Sequence, residues 1–88
     1  REDGAWLVDG AMPVTELKSR LSIDELPDED KGRYNTVAGL MQTVAGDLLA
    51  QADSVECAGW RFEVLVLDGR RIDQVLIARL PEAEATAD

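Results

Sequence analysis

The 88-residue sequence has no histidine and a single cysteine, Cys57. Without histidine, the commonest general base and the commonest zinc ligand are both missing. Neither a Ser-His-Asp nor a Cys-His mechanism can be assembled within the chain. A lone cysteine excludes an internal disulfide, and a reducing compartment is the natural reading. No apolar run approaches the ~20 residues that a bilayer span needs, so no direct membrane insertion by this segment is expected. No basic start followed by an apolar block marks a signal peptide. Neither G-x-G-x-x-G nor G-x-x-x-x-G-K occurs, so no glycine-rich phosphate loop is present. Positive charge is also scarce. Nine basic residues stand against eighteen acidic ones, a formal net charge of −9. That field repels polyanions, which argues against nucleic acid and against an anionic membrane surface as partners.

What is present suits one small domain. A chain of this size buries roughly 60–65% of the surface it exposes when unfolded, which leaves a thin core and little room for a walled active site. The chain begins at Arg1 and ends in "PEAEATAD". This reads as a piece of a longer protein or a processed one. The domain is expected over residues 1–80, with 81–88 a disordered tail of alanine and acids.

"AWLVDG", Ala5 to Gly10, reads as a strand running into a turn, with Trp6 and Val8 on one side and Leu7 on the other. In "PVTELKSRL", Pro13 suits a first helical position, and Val14, Leu17 and Leu21 recur at helical spacing. Ser22 to Tyr34 holds five acids, a proline and a glycine, and reads as an exposed loop. Asn35 is a good N-cap. Behind it Val37, Leu40, Met41 and Val44 form a buried helical face. Gly39 inside that helix costs ~1 kcal/mol against alanine and hints at close packing on a neighbour. Val55 and Cys57 alternate with polar residues, and Ala58-Gly59 makes a tight turn.

"WRFEVLVLDGRRIDQVLIARL", Trp60 to Leu80, is two apolar runs about Asp68-Gly69. Trp60, Phe62, Val64 and Val66 share one face of the first strand. A two-residue loop pairs Phe62 with Val75. A four-residue loop pairs Leu67 with Ile72 and Phe62 with Ile77. The two registers differ by an even shift, so both put Val75 and Ile77 on the tryptophan face. Leu65, Leu67, Ile72 and Leu76 then make the opposite face partly apolar, as an interface would. The order strand, helix, helix and three strands predicts an α+β domain: a mainly antiparallel sheet with two helices packed on one face.

Each candidate for chemistry has a plainer reading beside it. Arg70 and Arg71 could grip a phosphate or carboxylate. The plainer reading, a charged hairpin edge with Arg71 balanced by Asp73 or Asp68, is preferred, because adjacent strand residues point to opposite faces. Asp24, Glu25, Asp28, Glu29 and Asp30 are oxygen ligands in the style of magnesium or calcium sites. Their spacing does not match an EF-hand, and a charge run in a loop is usually solvated. No metal site is expected, with Asp28, Glu29 and Asp30 as the alternative. Trp6 and Trp60 could stack a flat ring but fit the core. Cys57 fits a small buried strand residue.

"WLVDGAMPVTELKSRL", "LPDED", "YNTVAGLMQTVAGDL" and "SVECAGWRFEVLVLDGRRIDQVLIARL", in this order and spacing, resemble the transporter-associated domain of the CorC/HlyC family. The resemblance runs from about Ala5 to Leu80. It implies a fold similar to part of an FAD-binding domain and a place after a CBS pair in membrane-associated, magnesium/cobalt-efflux or hemolysin-like proteins. It implies no catalytic residues. The family commonly has a proline and then Gly-Asp before the second strand, where this chain has Leu49 and Ala52-Asp53. The turn there must be built differently.

The resulting expectation is a non-catalytic accessory domain on the cytoplasmic side of the membrane. It would modulate divalent-cation transport through contacts with the CBS-pair and membrane regions of its parent, or as a homodimer. No cofactor is expected. The alternative is a small-ligand sensor for a nucleotide, flavin or divalent ion, with FAD or an adenine nucleotide as cofactor. It requires a pocket near the strand ends with Trp6 or Trp60 and an arginine at its rim.

Overall fold

The computed structural model describes residues 5–80. The expected tail from residue 81 lies outside them. Strand β1 (Trp6–Asp9) is followed by helices α1 (Val14–Leu21) and α2 (Val37–Ala45), then strands β2 (Ser54–Cys57), β3 (Trp60–Asp68) and β4 (Arg71–Arg79). A single 3₁₀ turn, Glu29–Lys31, lies between the helices. The four strands form one antiparallel sheet in the order β1-β4-β3-β2. The fold is therefore α+β, with the first strand added beside the last.

The apolar periodicities explain the layers. Val14, Leu17 and Leu21 of α1 and Val37, Leu40 and Met41 of α2 are buried. They meet Val8, Phe62, Val64, Val75 and Ile77 from the sheet in one core. Alternation along β3 and β4 puts these residues on one side, which fixes the face that the helices cover.

Backbone hydrogen bonds tie the two helix starts together. Val14 N–H donates to the Asn35 carbonyl at 2.9 Å, and Val37 N–H donates to the Met12 carbonyl at 2.9 Å. Pro13 stands just before α1 with extended ψ, so the helix begins at Val14 and not at the proline. Thr36, not Asn35, caps α2, its hydroxyl accepting from Gly39 N–H at 3.2 Å. Asn35 is drawn instead into the link with α1. A Cβ on Gly39 would lie 2.9 Å from the Tyr34 Cβ, so the close neighbour implied by that glycine is Tyr34.

The Ser22–Tyr34 stretch departs from the exposed loop expected of it. Leu26 and Tyr34 are both buried in the core. Glu29 Oε1 accepts from Leu26 N–H at 3.0 Å, and the Tyr34 hydroxyl donates to the Pro27 carbonyl. The acids stay at the surface while one leucine and one tyrosine pin the loop inward.

The turn before β2 is built without glycine. Asp53 N–H donates to the Ala50 carbonyl at 3.0 Å, and Asp53 Oδ2 accepts from Ala50 N–H at 2.9 Å. The third residue of this turn, Ala52, has φ 77°. That is the position at which a type II turn takes glycine, and an L-residue there is strained. Ala52→Gly is expected to stabilise the fold by about 0.5–1 kcal/mol, a rise of a few degrees in Tm. A fall in Tm in a thermal melt would contradict this account of the turn.

The β3–β4 hairpin adopts the register in which Leu67 faces Ile72 and Phe62 faces Ile77. Pairing then continues to Asp68–Arg71, which leaves Gly69-Arg70 at the tip, with φ 64° at Gly69. The pairing shifts between Val64 and Val66 and again between Val66 and Leu67. This bulge reverses the alternation beyond it. Ile72, expected on the helix-free face, is only 2% exposed and sits in the core, with Leu67 packed against it. Val66, expected in the core, is 41% exposed.

Candidate functional site

The surface carries an apolar helix-free face of the sheet and a cleft at one end of it. The face is set by register. Leu7 lies directly opposite Leu76, and Leu76 opposite Glu63. Leu65 follows Glu63 on the same side, and the bulge adds Val66 beside it. Leu7 is 45% exposed, while Leu65 and Leu76 are half-buried. Of the four residues proposed from sequence for this interface, Leu65 and Leu76 are here. Leu67 and Ile72 are not, because the bulge turns them inward. Leu7 and Val66 take their place. Alternation in β1 already put Leu7 opposite Val8, so its position was readable.

Arg61 stands on this face opposite Glu56. Its Nη2 lies 4.0 Å from Glu63 Oε1, and its Nε donates to Ser54 Oγ at 3.4 Å. Glu56 and Asp9 make no ion pair among the described residues. Asp9 Oδ1 accepts from Ala11 N–H at 2.8 Å in the turn that follows β1.

The cleft holds about 330 Å³ and is lined by Asp9, Gly10, Ala11, Thr36, Ala38, Arg71, Ile72 and Asp73. It has an arginine at its rim but no tryptophan. Trp60 is buried, with the Arg79 guanidinium 4.8 Å from its ring centroid. Trp6 starts β1 and packs on the core. Neither tryptophan supplies the flat wall that a nucleotide or flavin pocket was expected to use. The start of α2 lies beside the cleft, but its first N–H groups are already engaged. Val37 donates to Met12, Ala38 to Gly10, and Gly39 to the Thr36 hydroxyl. Arg71 Nη2 sits 3.8 Å from Asp68 Oδ2, with both side chains well exposed, as the plainer reading of the hairpin had it. Arg70 lies at the tip, away from this pair.

The acidic loop is organised by pairing. Glu29 binds Lys18 and caps Leu26, and Lys31 Nζ lies 3.6 Å from Asp28 Oδ1. The Lys18 hydrogen bond, helped by the Leu26 N–H, holds the Glu29 carboxyl below the usual carboxylate range. Glu25, Leu26, Asp28, Glu29 and Asp30 border an open hollow. Among the described residues no three carboxylates or thiols gather as a metal ion would require.

Burial pushes the Cys57 thiol up from its ordinary 9.0 to about 11. The unfolded chain loses this proton first. The contribution is therefore intact below about pH 9 and is lost as pH rises toward 11. At pH 8 alkylation of the folded chain should run about 100-fold slower than that of the unfolded chain, since only the thiolate reacts. Equal rates in a stopped labelling assay would contradict burial of this side chain.

No helix among the described residues is long and apolar enough to cross a membrane. The family model for the CorC_HlyC transporter associated domain matches residues 1–81. The chain is 39% identical over 87 residues to the polyamine export protein of Escherichia coli K12, covering 99% of this chain and 19% of that protein. It is 38% identical over 88 residues to UPF0053 protein sll0260 of Synechocystis, covering all of this chain and 20% of that protein. It thus spans about a fifth of the curated relatives it matches. Among solved structures, the transporter associated domain of a Xylella fastidiosa Temecula1 hemolysin, in complex with Mg²⁺ and Mn²⁺, superposes with a TM-score of 0.78 at 37% identity, covering 92% of this chain and 94% of that one. A CorC_HlyC domain from Haemophilus ducreyi superposes with a TM-score of 0.79 at 27% identity, with the same coverage of 92% and 94%. The chain belongs to the CorC/HlyC transporter-associated-domain family.

Proposed function

We propose that this chain is a non-catalytic accessory domain of a membrane-associated, CBS-containing export protein. It modulates transport of a small cation through contacts with the rest of its parent. The observation that carries the reading is the family match over nearly the whole chain, in relatives about five times longer. The same relatives support a cargo class. The Escherichia coli relative is named for polyamine export, and the Xylella neighbour was solved with divalent metals. Polyamines and divalent metal ions, magnesium and cobalt included, share compact positive charge. The domain acts from the cytoplasmic side, where a reduced Cys57 and a net charge of −9 are both at home. Deleting the domain from the full-length parent tests this. Export of polyamine or divalent cation should change while the remaining protein still reaches the membrane. Unchanged flux for every cation assayed would contradict it.

The cleft beside Arg71 supports a second reading, a sensor for a small ligand such as a nucleotide, flavin or divalent ion. A ligand at 100 times its Kd stabilises the native state by about 2.7 kcal/mol, or on the order of 10–20 °C for a domain this small. A melt with AMP, ATP, FAD, magnesium, cobalt and spermidine separates the two. The accessory reading expects no shift of that size with AMP, ATP or FAD. Such a shift, abolished by Arg71→Ala, would favour the sensor.

A further inference from the structure

We infer that the helix-free face of the sheet is a docking surface for an apolar segment flanked by lysine or arginine, supplied by the same full-length polypeptide. The inference rests on the accessory reading, since it needs a parent.

The face has an apolar centre. Leu7, Leu65, Val66 and Leu76 are brought together by three strands, and Leu7 and Val66 are 45% and 41% exposed. The helices are occupied on the other side, so no described element covers these residues. Contiguous exposed apolar side chains with a polar rim mark interaction surfaces, whereas scattered ones do not.

Charge selects the occupant. Asp9, Glu56 and Glu63 stand on this face around Arg61. Arg61 already faces Glu63 at 4.0 Å, and at the hairpin end Arg71 faces Asp68 at 3.8 Å. Arg61 is the cross-strand neighbour of Glu56 and also lies near Glu63, so two acids share one base, and Asp9 makes no ion pair among the described residues. A partner that completes the rim must bring positive charge. The same arithmetic disfavours a second copy, which would bring another −9, and an anionic lipid surface. The curated relatives extend over about five times the length of this chain, so such a parent has ample sequence from which to supply the segment.

The test uses the full-length parent in its membrane, with a photo-cross-linking residue at position 7 or 66. The expected product is an intramolecular cross-link to an apolar segment flanked by lysine or arginine. Glu56→Lys should lower its yield several-fold. Leu48→Glu, a change at a 62%-exposed leucine outside the sheet, should leave it intact. Cross-links between the same faces of two copies, cross-links to lipid, or none at all would each overturn the inference. Cross-linking is read independently of export, so loss of flux on domain deletion without a cross-link would reject the surface and keep the function.

Discussion

Phe62→Ala is expected to lose about 3–5 kcal/mol of folding stability. Phe62 is the largest fully buried side chain and lies on the central strand β3 between Val55 of β2 and Ile77 of β4. Both helices close over that side of the sheet, so its removal leaves a cavity that rigid neighbours on three sides cannot collapse. A domain of this size has a total stability of about 4–12 kcal/mol. The variant should melt lower by on the order of 20 °C, and in the weaker half of that range it would be largely unfolded at 37 °C. Urea unfolding followed by tryptophan fluorescence reads the loss directly, because Trp6 and Trp60 both pack in or against the same core. A loss below about 1.5 kcal/mol would show that the two layers repack freely, contrary to the single core described above.

Gly10→Ala should cost about 3–4 kcal/mol. A Cβ at Gly10 would lie 2.1 Å from the Ile72 carbonyl oxygen and 2.9 Å from its carbon. These are backbone atoms and cannot swing aside as a side chain could. Moving the turn instead breaks other bonds. Gly10 N–H donates to the Asp73 carbonyl at 2.9 Å, and the Gly10 carbonyl accepts from Ala38 N–H at 2.9 Å. One residue thus joins β1, the start of β4 and the start of α2. Hydrogen exchange should show the Ala38 amide exposed in the variant well before the sheet centre. If stability and Ala38 protection both match the parent chain, the junction is softer than the geometry says.

Gly10 also shows where sequence reasoning reached its limit. "DG" after an apolar run marks a turn, and the turn is there. The reason only glycine fits is a carbonyl more than sixty residues later, which no local pattern records. The hairpin repeats the lesson. Trp60, Phe62, Val64, Val75 and Ile77 alternate as a buried face must, and all five are buried. Beyond Val64 the sequence reads "VLVLD", apolar at successive positions, so either face could be inward. The bulge adds no net offset between the Val64–Val75 and Leu67–Ile72 pairs, so the end-to-end register hides it. That is why simple alternation places Ile72 and Leu67 outward and Val66 inward. The burial of Leu26 is hidden from the sequence for a different reason. A single leucine among acids has no periodicity, and only the fold places a pocket over it.

The candidate surface was half legible for the same reason. Leu65 and Leu76 follow from alternation alone. Alternation also gives Leu7 its side, but its place beside Leu76 needs the β1–β4 pairing, and Val66 needs the bulge. The acidic loop was legible as chemistry but not as structure, since its pairing depends on Lys18, eleven residues from Glu29.

Export by the full-length parent carrying Leu7→Glu and Val66→Glu together, measured alongside the melting temperature of the corresponding 88-residue domain, tests the central claim most directly. Both side chains lie on the helix-free face and outside the core. The account predicts a Tm within about 5 °C of the parent chain, since exposed substitutions usually change stability by less than about 0.5 kcal/mol, together with altered cation flux. An unchanged Tm with unchanged flux would contradict a domain that works through this face.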